Sequence, residues 1–402
     1  MSRRKALNAS PPQGKRPAGP ERPERRYTPR ALSSFSLIVT GECNFSCRYC
    51  YQEKDGLSLG AAELEKALDF FWPRFGRECA VMFCGGEPLL RQDTIRRAVG
   101  SVSAKNRHLG KAISFSISTN GSLLNDDILA FFDRHRFSVL LSFDGFAQDK
   151  GRKKGTFRPV SEALESLRER RGIELLTNSV FMPETVSDLS ASIRDIVSRG
   201  VRDVQISFAT EFPWRPGPLA ELEAQLADLR RFLLARARRT GRVPVANFRK
   251  SPEAGLFACP AGESRMALAP DGRLWGCHLF YDFHHKTNDP YSARYGFGPL
   301  DSFMADPQRV TARVLPRYAD LEMDFFHTPR RFCGLCPEVH DCVICPVDAA
   351  FSSGIIGRIT TAGCRIRRIV RRQKRLLWED LEAGGDGPLG PRVRAPRSCS
   401  EA

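Results

Sequence analysis

The chain has 402 residues, 42% of them apolar and 27% charged, with 13 Cys; it is too long for a disulfide-held miniprotein and too apolar for a disordered chain, so one large or two modest globular domains are expected. Its net charge of +16 is concentrated in residues 1–30, with nine Lys or Arg against two Glu, and in residues 365–375, with seven Lys or Arg and no acid. The remaining body is nearly neutral, which argues against nucleic acid as a partner and for an acidic partner met by the basic segments, or for solubility alone.

Residues 1–30 hold six prolines and no apolar periodicity, the pattern of a disordered basic leader. No apolar run approaches the ~20 residues of a membrane span, and the first 35 residues lack a signal-peptide core, so no membrane partner and a cytoplasmic location are expected. In a reducing compartment, clustered cysteines read first as metal or cluster ligands.

From residue 31 the pattern is regular. Apolar, β-branched runs at 36–40, 80–83, 113–118, 138–143, 173–181 and 204–208 alternate with helical periodicity. Examples are Leu64, Ala67, Leu68 and Phe71, then Ile128, Leu129 and Phe132, then Leu189, Ile193, Ile196 and Val197. Six strand–helix pairs imply an α/β fold with a parallel sheet, barrel-like or doubly wound, over residues 31–212. Sites on such sheets lie at the C-terminal strand ends. Residues 213–255 read as a linker containing a helix from 219 to about 239. Residues 256–382 form a loop-rich, cysteine-dense domain that needs metal clusters for stability. It closes on a basic helix with Ile366, Ile369, Val370, Leu377 and Leu381 on one face, and residues 383–402 read as a frayed tail.

Directly after the first strand stands Gly-Glu-Cys43-Asn-Phe-Ser-Cys47-Arg-Tyr-Cys50-Tyr. Three thiolates in eight residues can hold three corners of a cubane cluster and leave one iron free for an external ligand. Zinc would want a fourth protein ligand or water, and the loop has no His. This loop resembles the signature of the radical S-adenosylmethionine (SAM) enzymes, Cys-x3-Cys-x2-Cys with an aromatic residue before the last cysteine, here Tyr49.

The resemblance implies a partial (β/α)6 TIM-type barrel over roughly residues 35–210, with the free iron chelating the methionine end of SAM. It also implies a glycine-rich turn, Gly85-Gly86-Glu87-Pro88, against the SAM amino group, with Glu87 accepting a hydrogen bond. Ser118 and Asn120 would meet the ribose and carboxylate region. Ser142, Asp144 and Arg152 follow the fourth strand, where the family carries an arginine for the SAM carboxylate.

The second cysteine set is Cys259, then twelve residues, Gly272, four residues and Cys277, followed by Cys333-x2-Cys336-x5-Cys342-x2-Cys345 and finally Cys364. It resembles the SPASM extension of radical SAM proteins, which holds two auxiliary 4Fe-4S clusters; the family's third interval is three residues, and this chain has two. The family's interleaved ligation implies Cys333, Cys336, Cys342 and Cys364 for one cluster. Cys259, Cys277 and Cys345 would hold three irons of the other, whose fourth iron stays open or takes a non-cysteine ligand. A pair of structural zinc sites is the alternative, disfavoured by the odd number of cysteines. His284, His285, His327 and His340 are candidates to complete the open cluster, though each reads first as a surface or hydrogen-bonded histidine. His278 stands where sulfatase-maturing members carry an acid, which argues against that reaction.

The resemblance thus implies an oxidoreductase that cleaves SAM to a 5'-deoxyadenosyl radical and takes hydrogen from a ribosomally made peptide or protein. A flavodoxin- or ferredoxin-like electron donor would serve it. A small-molecule dehydrogenase, an RNA-modifying enzyme and a non-catalytic cluster scaffold are the competing readings.

Overall fold

The computed structural model describes residues 30–250, 257–321 and 326–383. The expected leader and most of the expected tail therefore lie outside the described residues. Six strands run parallel: β1 (Leu32–Thr40), β2 (Phe75–Gly85), β3 (Ala112–Thr119), β4 (Ser138–Ser142), β5 (Glu174–Phe181) and β6 (Val204–Phe208), in spatial order β6-β5-β4-β3-β2-β1. Helices α1 (Ala61–Phe71), α2 (Gln92–Asn106), α3 (Asp126–Arg134), the short α4 (Gln148–Gly151), α5 (Phe157–Glu169) and α6 (Leu189–Ser198) fill the crossovers. Strands covered on both faces read as continuous apolar runs. In β1, Phe35, Leu37, Ile38 and Val39 are all buried. The helical residues picked out by periodicity, from Leu64 to Val197, are buried as well. The architecture is thus the expected α/β parallel core of a TIM-type partial barrel, followed by a cysteine-rich region.

The C-terminal half differs from expectation. The helix expected from 219 to about 239 is present as α7 (Pro216–Thr240), with Pro216 in its first turn and Gly241 closing it at φ +66°, but it is packed into the body rather than lying in a linker. Its stripe of Leu222, Leu226, Leu229 and Leu233 is buried, and it packs on α6 and on the C-terminal helix. The region expected to be loop-rich extends the sheet. Strand β7 (Arg265–Leu268) pairs parallel with β1, and β8 (Arg273–Trp275) and β9 (Gly296–Pro299) follow antiparallel, giving nine strands across the expected boundary at 212. Apolar runs of three or four residues are too short to be told from loop by periodicity alone.

Helices α8 (His278–Thr287), α9 (Pro290–Ala293), α10 (Leu300–Ala305) and α11 (Pro307–Val314) surround this extension. A small hairpin, β10 (His327–Thr328) and β11 (Arg331–Phe332), precedes the cysteine run; α12 (Pro346–Ser353) and α13 (Thr361–Ala383) follow it.

Helix α13 carries the expected apolar face, with Ile366, Val370, Leu377 and Leu381 buried. Its cations are not a free basic surface. Arg367 faces Asp348, Arg368 and Arg371 face Glu338, Arg372 faces Glu223 and Arg375 faces Glu379. Trp378 Nε1 donates to the Phe248 carbonyl at 2.8 Å. The helix therefore clamps the cysteine run to α7 through Asp348, Glu338 and Glu223, acids that come from other elements. No helix among the described residues is long and apolar enough to cross a membrane.

Candidate functional site

The loop with Cys43, Cys47 and Cys50 leaves the C-terminal end of β1, and all three thiols are half-buried. Burial pushes the Cys43 and Cys47 thiols up; the Arg152 guanidinium opposes this at Cys47, while Cys50 and Cys43 add to it. The three sulfurs thus share one electrostatic site although no disulfide joins them.

The loop is stitched to the neighbouring strand ends. Gly86 N donates to the Thr40 carbonyl and Glu87 N to the Glu42 carbonyl, both at 2.8 Å. Asn120 Nδ2 donates to Asn44 Oδ1 at 2.8 Å, and Arg48 N donates to the Gly151 carbonyl at 2.9 Å. Close approach at the glycine turn leaves no room for side chains. A Cβ on Gly86 would meet the Glu42 carbonyl oxygen at 2.1 Å; one on Gly85, at φ +129°, would meet the Thr40 carbonyl oxygen at 2.3 Å. Gly86→Ala is expected to pry this turn from the cysteine loop and lower stability by about 1–3 kcal/mol, as overpacking does. An unchanged denaturant midpoint would show that the turn tolerates the methyl group.

Glu87 is bonded within the fold. It is fully buried, its Oε1 accepts from Leu89 N at 3.1 Å and Thr119 Oγ1 at 2.7 Å, and its Oε2 accepts from Asn120 N at 2.7 Å. Burial pushes this carboxyl up while the three donors hold it down. Through these bonds Glu87 ties the ends of β2 and β3 together. Ser118 and Ser142 are half-buried at the ends of β3 and β4, and Asn120 is buried beside the loop.

Arg152 is a buried cation, not a solvated loop residue. Its side chain is 7% exposed, and its Nη2 donates to Asp144 Oδ1 at 2.9 Å and to the Asn178 carbonyl at 3.2 Å. Asp144, wholly buried, also accepts from the Tyr49 hydroxyl and, at 2.8 Å, from Val180 N. Burial disfavours the charged guanidinium, but Asp144 and Tyr49 more than compensate and keep it protonated. Arg152 Nε is buried with no partner, leaving one N–H beside the cysteine loop for an acceptor.

The later cysteines fall into two groups. Cys333, Cys336, Cys342 and Cys364 line one cavity of about 170 Å³, and the Cys333 thiol feels the other three sulfurs. Cys345 sits apart from its chain neighbours, in the field of Cys259 and Cys277. Among the described residues no group of three or more Cys, His, Asp or Glu is gathered tightly enough to hold a single metal ion.

Helix α8 starts at Cys277 and covers the first cysteine loop. Gln52 Nε2 donates to both carboxylate oxygens of Asp282 at 3.3–3.4 Å, His285 pairs with Asp55 at 3.0 Å, and Lys286 Nζ donates to the Cys50 carbonyl at 3.4 Å. His278 Nδ1 lies 3.7 Å from Cys277 Sγ. Burial pulls this imidazole down, but the Cys277 sulfur and Asp282 outweigh it and push it up to about 9. Burial pushes Asp282 up to about 6. His284 bonds Ser292 Oγ at 2.8 Å and His285 is taken by Asp55, so neither is directed at the Cys259 group. Asn44, Gln52 and Asp282 were missed from sequence. The only signal for Asp282 is its place one helical turn after His278.

Residues 37–196 match the family described as the Radical SAM superfamily. The chain is 24% identical over 301 residues to the radical SAM cyclopropyl synthase TigE of Paramaledivibacter caminithermalis, covering 66% of this chain and 61% of that protein. It is 25% identical over 295 residues to the serine-type anaerobic sulfatase-maturating enzyme of Klebsiella aerogenes, covering 64% and 70%. The solved structure of anSMEcpe with bound AdoMet superposes with a TM-score of 0.69 at 16% identity, over 90% of this chain and 97% of that one. The same protein with bound AdoMet and Cp18Cys peptide gives 0.67 at 18% identity, over 87% and 99%. At these identities the superpositions establish a shared fold.

Proposed function

We propose that this chain, which carries a Radical SAM superfamily domain at residues 37–196 and resembles peptide maturases of that superfamily, reductively cleaves SAM to modify a peptide or protein. The observation that carries this reading is the joining of the three-cysteine loop to the glycine turn and to buried Arg152, with its unpartnered Nε. When bound at Cys43, Cys47 and Cys50, a 4Fe-4S cluster supplies the electron that breaks the SAM carbon–sulfur bond, yielding methionine and a 5'-deoxyadenosyl radical that abstracts hydrogen from substrate.

The chain's own residues bind and orient. Arg152 Nε donates to the SAM carboxylate, and Asp144 and Tyr49 fix the guanidinium plane so that the donor is pre-aimed. Glu87 holds the glycine turn and Asn120 in register. Cys333, Cys336, Cys342 and Cys364 hold one auxiliary 4Fe-4S cluster, and Cys259, Cys277 and Cys345 hold three irons of another. The four-cysteine cavity supports this assignment. Residues 31–212 then form the SAM domain and 256–382 the auxiliary one, fused through the shared sheet.

A peptide substrate is supported by the names of the sulfatase-maturating relatives and by the peptide bound to anSMEcpe. His278 beside Cys277 separates this chain from sulfatase maturation, so we infer a different peptide modification, served by a flavodoxin- or ferredoxin-like donor. Anaerobically iron-loaded protein is expected to hold about twelve irons, from three four-iron sites, and to release 5'-deoxyadenosine from SAM and reductant. Near four irons with two zincs would remove the auxiliary clusters. No 5'-deoxyadenosine from fully loaded protein would leave a non-catalytic scaffold.

A further inference from the structure

Arg371 on α13 is anchored through both terminal nitrogens to one residue. Nη1 donates to the Glu338 carbonyl at 2.7 Å and Nη2 to Glu338 Oε2 at 2.6 Å. Its Nε is buried and has no partner. The residue lines the same cavity as Cys333, Cys336, Cys342 and Cys364. Two other arginines of the lining, Arg367 and Arg368, are more exposed, at 39% and 58% against 18% for Arg371. A buried N–H without an acceptor is costly, and this one belongs to a residue that lines the four-cysteine cavity.

We propose that Arg371 is the positioning residue of this site: Glu338 aims its Nε–H at the sulfurs of the Cys333, Cys336, Cys342 and Cys364 set, and that bond raises the reduction potential of the cluster they hold. The inference rests on the auxiliary-cluster reading above. Gain of one electron makes such a cluster more negative, so an N–H donor and an adjacent buried cation stabilise the reduced form more than the oxidised form. No proton need move. Glu338 takes one N–H of each outer nitrogen, and Nε–H is the buried donor left without a partner.

The test is an EPR-monitored redox titration of the anaerobically iron-loaded full chain, comparing wild type with Arg371→Lys, Arg371→Gln and, as a control for an exposed charge, Arg368→Gln. At fixed potential the reduced-to-oxidised ratio of one auxiliary signal is expected to fall about tenfold in both Arg371 variants, the equivalent of 59 mV for one electron. The control should change less than about threefold, because exposed charge is screened. An unchanged ratio in Arg371→Lys with iron intact would overturn the proposal. Should both Arg371 variants lose iron, pulsed EPR of the wild type labelled with 15N-arginine decides. A nitrogen coupling to the reduced cluster is expected, and its absence overturns the assignment. Wild-type iron near four per chain would instead sink the cluster reading itself, a distinct result.

Discussion

Replacing Cys43, Cys47 and Cys50 together by Ala is expected to abolish 5'-deoxyadenosine formation and to lower bound iron from about twelve to about eight per chain. The loss is absolute because the loop carries no other ligand for a metal centre, and the remaining iron survives because none of the three belongs to either later cysteine group. The four thiols around the 170 Å³ cavity and the Cys259, Cys277 and Cys345 group are built from β7, α8, α12, α13 and the run between them. The fold should also persist, since the loop is held by backbone bonds from Gly86, Glu87 and Arg48 that the substitutions leave in place. Iron analysis together with chromatography of the nucleoside product checks both halves. Residual SAM cleavage in the triple variant would place the reaction elsewhere. Loss of all iron would show that the two halves fold only around the first cluster.

The second large effect is at Asp144. This carboxylate is wholly buried and accepts from Arg152, the Tyr49 hydroxyl and Val180 N. Asp144→Asn keeps the shape and removes the charge, stranding the Arg152 cation in the interior. Breaking one partner of a buried pair in this way costs about 3–5 kcal/mol, so the denaturant midpoint should fall sharply. SAM affinity should fall with it, because the guanidinium loses the group that aims Nε. The double change Asp144→Asn, Arg152→Met removes the stranded charge and is expected to recover stability but not SAM binding. Equilibrium dialysis with SAM and denaturant unfolding of both variants separate the two roles. Wild-type stability in the single variant would mean that Arg152 reaches water when Asp144 is neutral.

The reading of the sequence was sound where the signal is local. Strands β1 to β6 carry apolar, β-branched residues such as Phe35, Leu37, Ile38 and Val39 of β1, and the longer crossover helices show buried stripes at three- and four-residue spacing, as Leu64, Ala67, Leu68 and Phe71 do. The Cys43, Cys47 and Cys50 spacing is equally local, since a single loop carries all three thiols. What the tertiary structure alone decided are contacts between segments far apart in the chain. Gln52 meets Asp282 across 230 residues. Arg372 meets Glu223 across 149, which turns an apparently free basic helix into a clamp. Glu87 was legible as a turn residue but not as a tie between strands, because its partners Thr119 and Asn120 arrive only when β3 pairs with β2. The grouping of Cys345 with Cys259 and Cys277, implied by the family resemblance, likewise has no local signal in the chain. Periodicity reports which face of an element is buried, but which elements share that burial is fixed only when the sheet order and the docking of α8 and α13 bring the partners within hydrogen-bonding range.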